Sequence, residues 1–282
     1  DAPGPARRFK GSFQVRLRQG REKYIIFTML VIKVGGSVIT RKGPKPVFDR
    51  AGAARLAGVL ARVKEPFILV HGTGSFGKPP AARYGYLSGR IKPGTAPLAA
   101  IKASLLELHS LFLSELVSRG INAVSCPGCA CFSLAAGRPR LRSAQVLLDW
   151  VLRGFVPVIN SDIFPSGRGE FRVVSSDALL QELSSELHPE LAVFFTDTPG
   201  LFDGDGGIVP RLARPGLLRL KRSQPPSASD VSGGMRGKIA ELARISAGGT
   251  DAVVLDGRRP GELLKLRAGR RARGTYIHAS KK

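Results

Sequence analysis

Lysines and glycine clusters stand in this chain where phosphate could be handled. The run Leu30–Val34 leads into Gly35-Gly36-Ser37, and the run Phe67–Val70 leads into His71-Gly72-Thr73-Gly74-Ser75-Phe76-Gly77. Small residues directly after a strand let backbone N–H groups approach an anion, and a helix starting there adds its dipole. Two such loops imply two phosphate positions. Lys33 lies inside the first apolar run, where an ammonium needs a partner or a ligand. Lys42 follows nine residues on, Lys78 comes directly after the second cluster, and Lys238 closely follows Ser232-Gly233-Gly234-Met235. Cations so placed stabilise the charge spread over a phosphoryl group in transfer. Neither loop has the G-x-G-x-x-G spacing of a dinucleotide site or the G-x-x-x-x-G-K-[ST] spacing of a P-loop.

The elements that must position these groups alternate. Strands are expected at Leu30–Val34, Phe67–Val70, Asn122–Ser125, Val156–Ile159, Leu191–Thr196 and Ala252–Leu255. Helices are expected near Asp49–Val63, Pro97–Arg119, Ala144–Arg153, Asp177–Leu187 and Gly234–Ala247. In the longest, Leu98, Ile101, Leu105, Leu108 and Phe112 recur at three- and four-residue steps and make one apolar face. This alternation predicts an α/β fold with a mainly parallel sheet covered on both sides. Ligands of such sheets gather at the carboxyl ends of the strands, where both glycine clusters lie. The stretch Phe202–Ser229, rich in Gly, Pro, Arg and Ser, is expected as a long mobile surface segment.

The chain has 282 residues, 43% of them hydrophobic, so it is long and apolar enough to bury a core and is not wholly disordered. No run of about 18 uninterrupted apolar residues occurs, and no membrane-crossing helix is expected. Three cysteines make no disulfide framework and point to a reducing, cytoplasmic setting. The net charge is +23, which suits either nucleic acid or small anionic substrates. Residues 1–28 hold seven Lys/Arg and two acids without apolar periodicity, and are expected as a basic extension or an over-extended start. The remaining 37 basic and 19 acidic residues still leave +18, so the body itself is basic.

The motifs Ile-Lys-Val-Gly-Gly-Ser (32–37), His-Gly-Thr-Gly-Ser-Phe-Gly (71–77), Val-Pro-Val-Ile-Asn-Ser-Asp-Ile (156–163), Ser-Ser-Asp (175–177), Thr-Asp-Thr-Pro-Gly-Leu (196–201) and Asp-Val-Ser-Gly-Gly-Met-Arg-Gly-Lys (230–238) resemble, in order, those of the amino acid kinase superfamily. Within it the chain is most similar to the archaeal-type isopentenyl phosphate kinases, through Gly-Ser-Phe-Gly-x-Pro, Ala-Ala-Arg-Tyr-Gly (81–85) and Gly-Thr-Tyr-Ile (274–277). The resemblance runs from Met29 to the C-terminus. It implies a three-layer αβα kinase domain over 29–282, with an acceptor lobe near 29–175 and an ATP lobe near 176–282. It also implies transfer from ATP, with Mg²⁺, onto isopentenyl phosphate in isoprenoid biosynthesis, by a homodimer.

Carried over by position, Lys33, Val34, Gly35, Gly36 and Ser37 would hold the ATP phosphates, and Lys42 would stabilise the transition state. Gly72, Thr73, Gly74 and Gly77 would cradle the acceptor phosphate, with Gly74 also meeting ATP, and Ser161 and Ser176 beside the acceptor. Asp177 would orient the lysines by charge pairing, while Asp197, Gly234 and Lys238 would line the nucleotide site. Asp177, just before an apolar run, also reads as a helix N-cap. The chain departs from the family at four positions. Lys78 stands where a His binds the substrate phosphate, Thr73 where the middle of three glycines is usual, and Ser161 and Ser176 where glycines are usual. Lys78 is expected to replace that His as phosphate clamp.

Other residues invite weaker readings. Cys126, Cys129 and Cys131 lack a fourth zinc ligand nearby, so no metal is expected there, and the family resemblance implies instead a strand-to-loop wall of the acceptor pocket in which they pack. His109 is expected on a helix, at the surface or partly buried, and His71 either orients the phosphate loop or is a satisfied core residue. Trp150 is expected in the core. A kinase for another phosphate or phosphonate acceptor such as UMP stays open beside the leading reading. So does a basic nucleic-acid binder without kinase activity, although the four Tyr and one Trp show no spacing suited to base stacking.

Overall fold

A computed structural model of the chain describes residues 28–83, 90–91, 97–167, 170–223 and 234–280. Residues 1–27, and with them nearly all of the expected extension, lie outside this set. The first half runs β1 (Leu30–Val34), α1 (Gly36–Ile39), α2 (Arg50–Leu60), β2 (Phe67–His71), α3 (Gly74–Arg83), β3 (Arg90–Ile91) and α4 (Pro97–Ser118). Then come β4 (Ala123–Ser125), α5 (Gly128–Cys131), the hairpin β5 (Phe132–Ala135) and β6 (Arg138–Leu141), α6 (Ala144–Leu152) and β7 (Val156–Asn160). The second half continues with β8 (Asp162–Pro165), β9 (Phe171–Val174), α7 (Ser176–Leu187), β10 (Leu191–Thr196), β11 (Arg211–Leu212) and α8 (Arg214–Ser223). It ends with α9 (Gly234–Ala247), β12 (Asp251–Asp256), α10 (Glu262–Arg267) and β13 (Thr275–Ile277).

The expected α/β architecture is present. Eight strands form one sheet in the order β11-β13-β12-β10-β1-β2-β7-β4, parallel throughout except where β13 runs against β12. Because side chains alternate along a strand, each central strand feeds two cores. Val31, Ile68, Val70, Ala192 and Phe194 join the core under α6, α7 and α9. Leu30, Ile32, Leu69, Val193 and Phe195 join the core under α2, α4 and α10. Both faces of the sheet are thereby buried, which explains why these strands read as continuous apolar runs rather than alternating ones.

Three expectations are corrected. The segment after Phe202 is not a long surface loop: Phe202 bridges Ile208, and β11 and α8 follow, while 224–229 lie outside the described residues. Leu217 is fully buried and Leu220 packs beside it, three residues on, so a helical stripe holds α8 down among four basic residues. Trp150 is not core. Leu147, Leu148 and Val151 take the inner face of α6, which turns Val146 and Trp150 outward, and the indole meets Phe155 edge-on at 5.1 Å. His109 is a buried residue, not a surface one.

The β5–β6 hairpin, unexpected from sequence, is pinned by charge. Arg138 makes a bidentate pair with Glu241 of α9, and Glu182 of α7 accepts from Arg140 at 2.8 Å and from the Leu141 N–H at 3.1 Å. Glu182 is 1% exposed. Its replacement by Ala strands a backbone donor and an arginine, and Glu182→Ala is expected to cost about 1–3 kcal/mol, read as a lower urea midpoint at unchanged slope.

Candidate active site

The carboxyl ends of β1, β2, β7 and β10 open into one cavity of about 390 Å³. Its polar end is made of backbone. Gly36, just past the end of β1, lies against Gly72 and Gly74 from the end of β2. A Cβ on Gly36 would stand 2.0 Å from the Gly74 nitrogen, and one on Gly72 would stand 2.8 Å from the Gly36 nitrogen. Gly74 adopts φ +49, and a side chain there would meet the Thr40 hydroxyl at 2.0 Å. Glycine is required by contact at all three positions and by conformation also at Gly74. Thr40 ties the two loops together, donating to the Gly36 carbonyl at 2.8 Å and accepting from the Ser75 N–H at 3.1 Å. Helices α3, α7 and α9 all begin at the cavity wall, so three positive helix ends converge on it.

The charges sit beside this backbone. Lys33 shares its strand parity with Val31 and so faces α7, where its Nζ lies 2.9 Å from Asp177. Lys238, from α9, reaches the same carboxylate at 3.3 Å. Burial pushes Lys33 down to about 8, with Asp177 opposing that shift and Lys238 adding to it. For Asp177 burial favours the neutral acid, but Lys238 and Lys33 outweigh it and hold the carboxyl below the usual carboxylate range. The expected N-cap role does not fall to Asp177. Ser175 caps α7 by accepting from the Ala178 N–H at 3.2 Å, which places Asp177 in the first turn with its carboxylate free for the lysines.

Lys42 is a different kind of cation. Its side chain is 81% exposed and lies 2.9 Å from Asp197 across the cavity mouth. A surface pair of this sort is weak, so it leaves the ammonium free to move at the cavity mouth.

Of the sequence candidates, Lys33, Gly35, Gly36, Ser37, Lys42, Gly72, Thr73, Gly74, Gly77, Ser161, Ser176, Asp177, Asp197, Gly234 and Lys238 line the cavity together. Val34 does not. It is fully buried in the core, and its carbonyl accepts from the Gly72 N–H at 2.9 Å. Lys78 lies in α3 directly after Gly77, and its side chain is outside the described part. Ser161 donates its hydroxyl to the Val174 carbonyl at 2.6 Å, which commits that proton to the wall itself. Thr73 folds over Gly77, where a Cβ would stand 2.4 Å from its hydroxyl.

Asp162, Ile163 and Val173 in the wall were not read from the sequence as site residues. Asp162 is 3% exposed and chelated by Lys102 at 2.6 and 2.7 Å. Its signal was available, because a charge right after an apolar strand poses the same question as Lys33. Beyond Asp162 the wall turns apolar, through Ile101 and Leu105 of α4, Ile163 and Val173. Among the described residues no group of three His, Cys, Asp or Glu gathers to hold a metal ion.

Behind the second loop stand two buried histidines. His71 shares the parity of Phe67 and Leu69 and faces α4, where its Nε2 lies 2.9 Å from His109 Nδ1. His71 Nδ1 lies 3.1 Å from the Gly72 carbonyl, and His109 Nε2 lies 2.8 Å from the Ser125 hydroxyl. Burial lowers His71 to about 3, helped by His109 and opposed by Gly72, and burial also lowers His109 against the pull of Asp162.

Asp177→Asn leaves two ammoniums facing each other in a buried site, and a loss of about 3–5 kcal/mol is expected in urea unfolding. Because the folded state depresses this carboxyl, its stabilisation is present above the unfolded carboxylate pKa and fades as pH falls below it. The wild type should therefore lose stability below about pH 4 more steeply than the Asn variant, measured as urea midpoint against pH.

Comparison with known proteins agrees with this geometry. Residues 28–256 match the Amino acid kinase family. The chain is 29% identical over 262 residues to the isopentenyl phosphate kinase of Methanothermobacter thermautotrophicus, covering 88% of this chain and 98% of that protein. It is 30% identical over 230 residues to the isopentenyl phosphate kinase of Haloferax volcanii, covering 78% of this chain and 89% of the other. A solved isopentenyl phosphate kinase structure superposes with a TM-score of 0.73 at 26% identity, over 88% of this chain and 100% of that one. A match of that extent, on a fold whose strand ends converge on one cavity lined by glycine loops and lysines, makes the chain a member of the amino acid kinase family.

Proposed function

We propose that the chain transfers the γ-phosphate of Mg·ATP to the phosphate of isopentenyl phosphate, giving isopentenyl diphosphate and ADP in isoprenoid biosynthesis. The observation that carries this reading is the continuity of the cavity. Backbone N–H groups and lysines form one end, and Ile101, Leu105 and Ile163, each 3–4% exposed, form the other beside the second glycine loop. A short branched hydrocarbon on a phosphate matches that change of polarity. A nucleoside acceptor would bring a polar ribose and base to the same apolar wall.

In this reading 29–175 is the acceptor lobe and 176–282 the ATP lobe. Gly35, Gly36 and Ser37 hold the transferring phosphate with Lys33 and Lys238, and the start of α3 with Lys78 holds the acceptor. The acceptor phosphate is already ionised near neutral pH, so the reaction needs no general base. His71 could not serve as one, since both its ring nitrogens are engaged and its basicity is suppressed. What the protein supplies is position and charge: the loops bring two anions together, and Lys33, Lys42 and Lys238 offset their repulsion. Mg²⁺ would enter as part of Mg·ATP and would supply further positive charge to the transferring phosphates beside Lys33, Lys42 and Lys238.

The setting is the cytoplasm, in keeping with three free cysteines. The working form is a homodimer. Leu106 and Val117 of α4 and Val146 and Trp150 of α6 are exposed apolar residues available to such an interface.

An acceptor panel with ADP detection tests the reading. Turnover of isopentenyl phosphate well above that of UMP is expected, and the reverse order overturns it. Lys42→Ala should lower kcat by roughly 10²–10³-fold while leaving the melting temperature nearly unchanged, because its pair is exposed. If Lys78 clamps the acceptor, Lys78→Ala lowers kcat/KM for the acceptor and Lys78→His restores part of it; an unchanged Ala variant removes Lys78 from the site. Lys33 loses its proton as pH rises through about 8, so kcat/KM for ATP should fall above that pH.

A further inference from the structure

The buried histidines have no part in the transfer itself, yet their hydrogen bonds end on the phosphate loop. The direction of each bond follows from its ends. The Gly72 carbonyl can only accept, so His71 Nδ1 carries the proton. At neutral pH His71 then has a bare Nε2, which must accept from His109 Nδ1. His109, neutral as well, turns a bare Nε2 to Ser125, whose hydroxyl donates. One chain of three bonds therefore runs from Ser125 at the end of β4, through α4, to the first peptide of the loop. Phe112 closes its flank, meeting the His71 ring edge-on at 5.4 Å.

A peptide unit is planar, and in the trans form its carbonyl and N–H point in opposite directions. Fixing the Gly72 carbonyl on His71 therefore fixes the Thr73 N–H on the other side. Gly72 and Thr73 line the cavity, and neither histidine does. Glycine at 72 offers the peptide little resistance to rotation, so an external hold is needed. The same helix that carries His109 carries Ile101 and Leu105 of the apolar wall, and Ser104 of that helix donates to the Phe76 carbonyl at 3.1 Å.

We infer that Ser125, His109 and His71 are positioning residues that hold the Gly72–Thr73 peptide with its N–H toward the acceptor phosphate, and that lock the phosphate loop to the helix walling the acceptor tail. This rests on the acceptor reading of the second loop given above. None of the three bonds reaches Gly35–Ser37, Lys33 or Lys238, so loss of this hydrogen-bond chain should weaken the acceptor and leave ATP binding as before.

The test compares wild type, His71→Leu, His71→Asn and Ser125→Ala. Asn can present an amide N–H near the place of Nδ1, whereas Leu keeps bulk and loses the donor. Acceptor KM with isopentenyl phosphate and ATP KM are measured together. Binding of inorganic phosphate in saturating ADP gives a readout independent of the acceptor tail. His71→Leu should raise acceptor KM and the phosphate Kd about tenfold with ATP KM unchanged, and His71→Asn should recover most of that loss. Ser125→Ala should show a smaller change in the same direction. Equal weakening of phosphate and ATP, or a folded Leu variant that binds phosphate as the wild type does, overturns the inference. Nitrogen-15 spectra of the imidazoles decide it even if His71→Leu fails to fold: protonation of His71 at Nδ1 is required, and a proton on Nε2 overturns it. A wild type that binds phosphate through this chain but does not phosphorylate isopentenyl phosphate would sink the proposed acceptor and leave the positioning role standing.

Discussion

Two backbone turns pressed together without side chains between them set the geometry of the whole cavity. Gly36 and Gly74 approach so closely that a single Cβ on either would meet the other loop or its tether. β1 and β2 are adjacent and parallel, so their ends lie side by side, and glycine lets the turns beyond those ends touch. Any phosphates bound to the two turns are then neighbours by construction. Lengthening or crowding either turn would move two binding positions at once, which is why the order of strands, the parallel pairing and the glycines form a single constraint.

Bringing two phosphates together in a partly buried cavity creates an electrostatic problem, and the charges around the loops answer it in two ways. Lys33 and Lys238 are held by one buried carboxylate, Asp177, with side-chain exposures of 6%, 11% and 8% respectively. That cluster carries excess positive charge at fixed coordinates and needs little reorganisation when an anion arrives. Lys42 is held loosely at the mouth by Asp197 and can follow a moving charge. The interior pair is costly to assemble and the exposed pair is not, so folding depends on Asp177 far more than on Lys42. Asp162 shows the complementary device. A carboxylate next to an acceptor phosphate would repel it, and Lys102 cancels that charge on site.

What could be read from the sequence was whatever depended on local pattern. Lys33 stood out because an ammonium interrupts an apolar strand, and the glycine loops stood out because they end strands. The strand and helix periods were clear for the buried elements, where the sheet is covered on both sides. Tertiary choices were hidden. Nothing in the spacing of Asp177 distinguishes a cap from a counter-ion, and the decision was made by Ser175 taking the cap. α8 was obscured because its arginines and lysines outnumber the two leucines that seat it. Trp150 was misplaced because residue type suggests burial, whereas the phase of α6 relative to its neighbours decides it. β8 and β9 are only four residues each, too short for a period of their own to announce them.

Strand parity links the remaining parts. Lys33 and His71 lie on neighbouring strands near the same end of the sheet, but their positions differ by one in register, so they face opposite layers. Lys33 turns to α7 and meets the charge cluster, while His71 turns to α4 and meets the neutral hydrogen-bond chain. One layer thus governs charge and the other governs orientation, with the sheet as the low-dielectric wall between them. Had both side chains shared a face, the imidazole would lie beside two ammoniums and a carboxylate, and its tautomer would follow theirs. Separation by a single residue of register keeps the histidine chain and the charge cluster on opposite sides of the sheet, so neither lies in the other's immediate field.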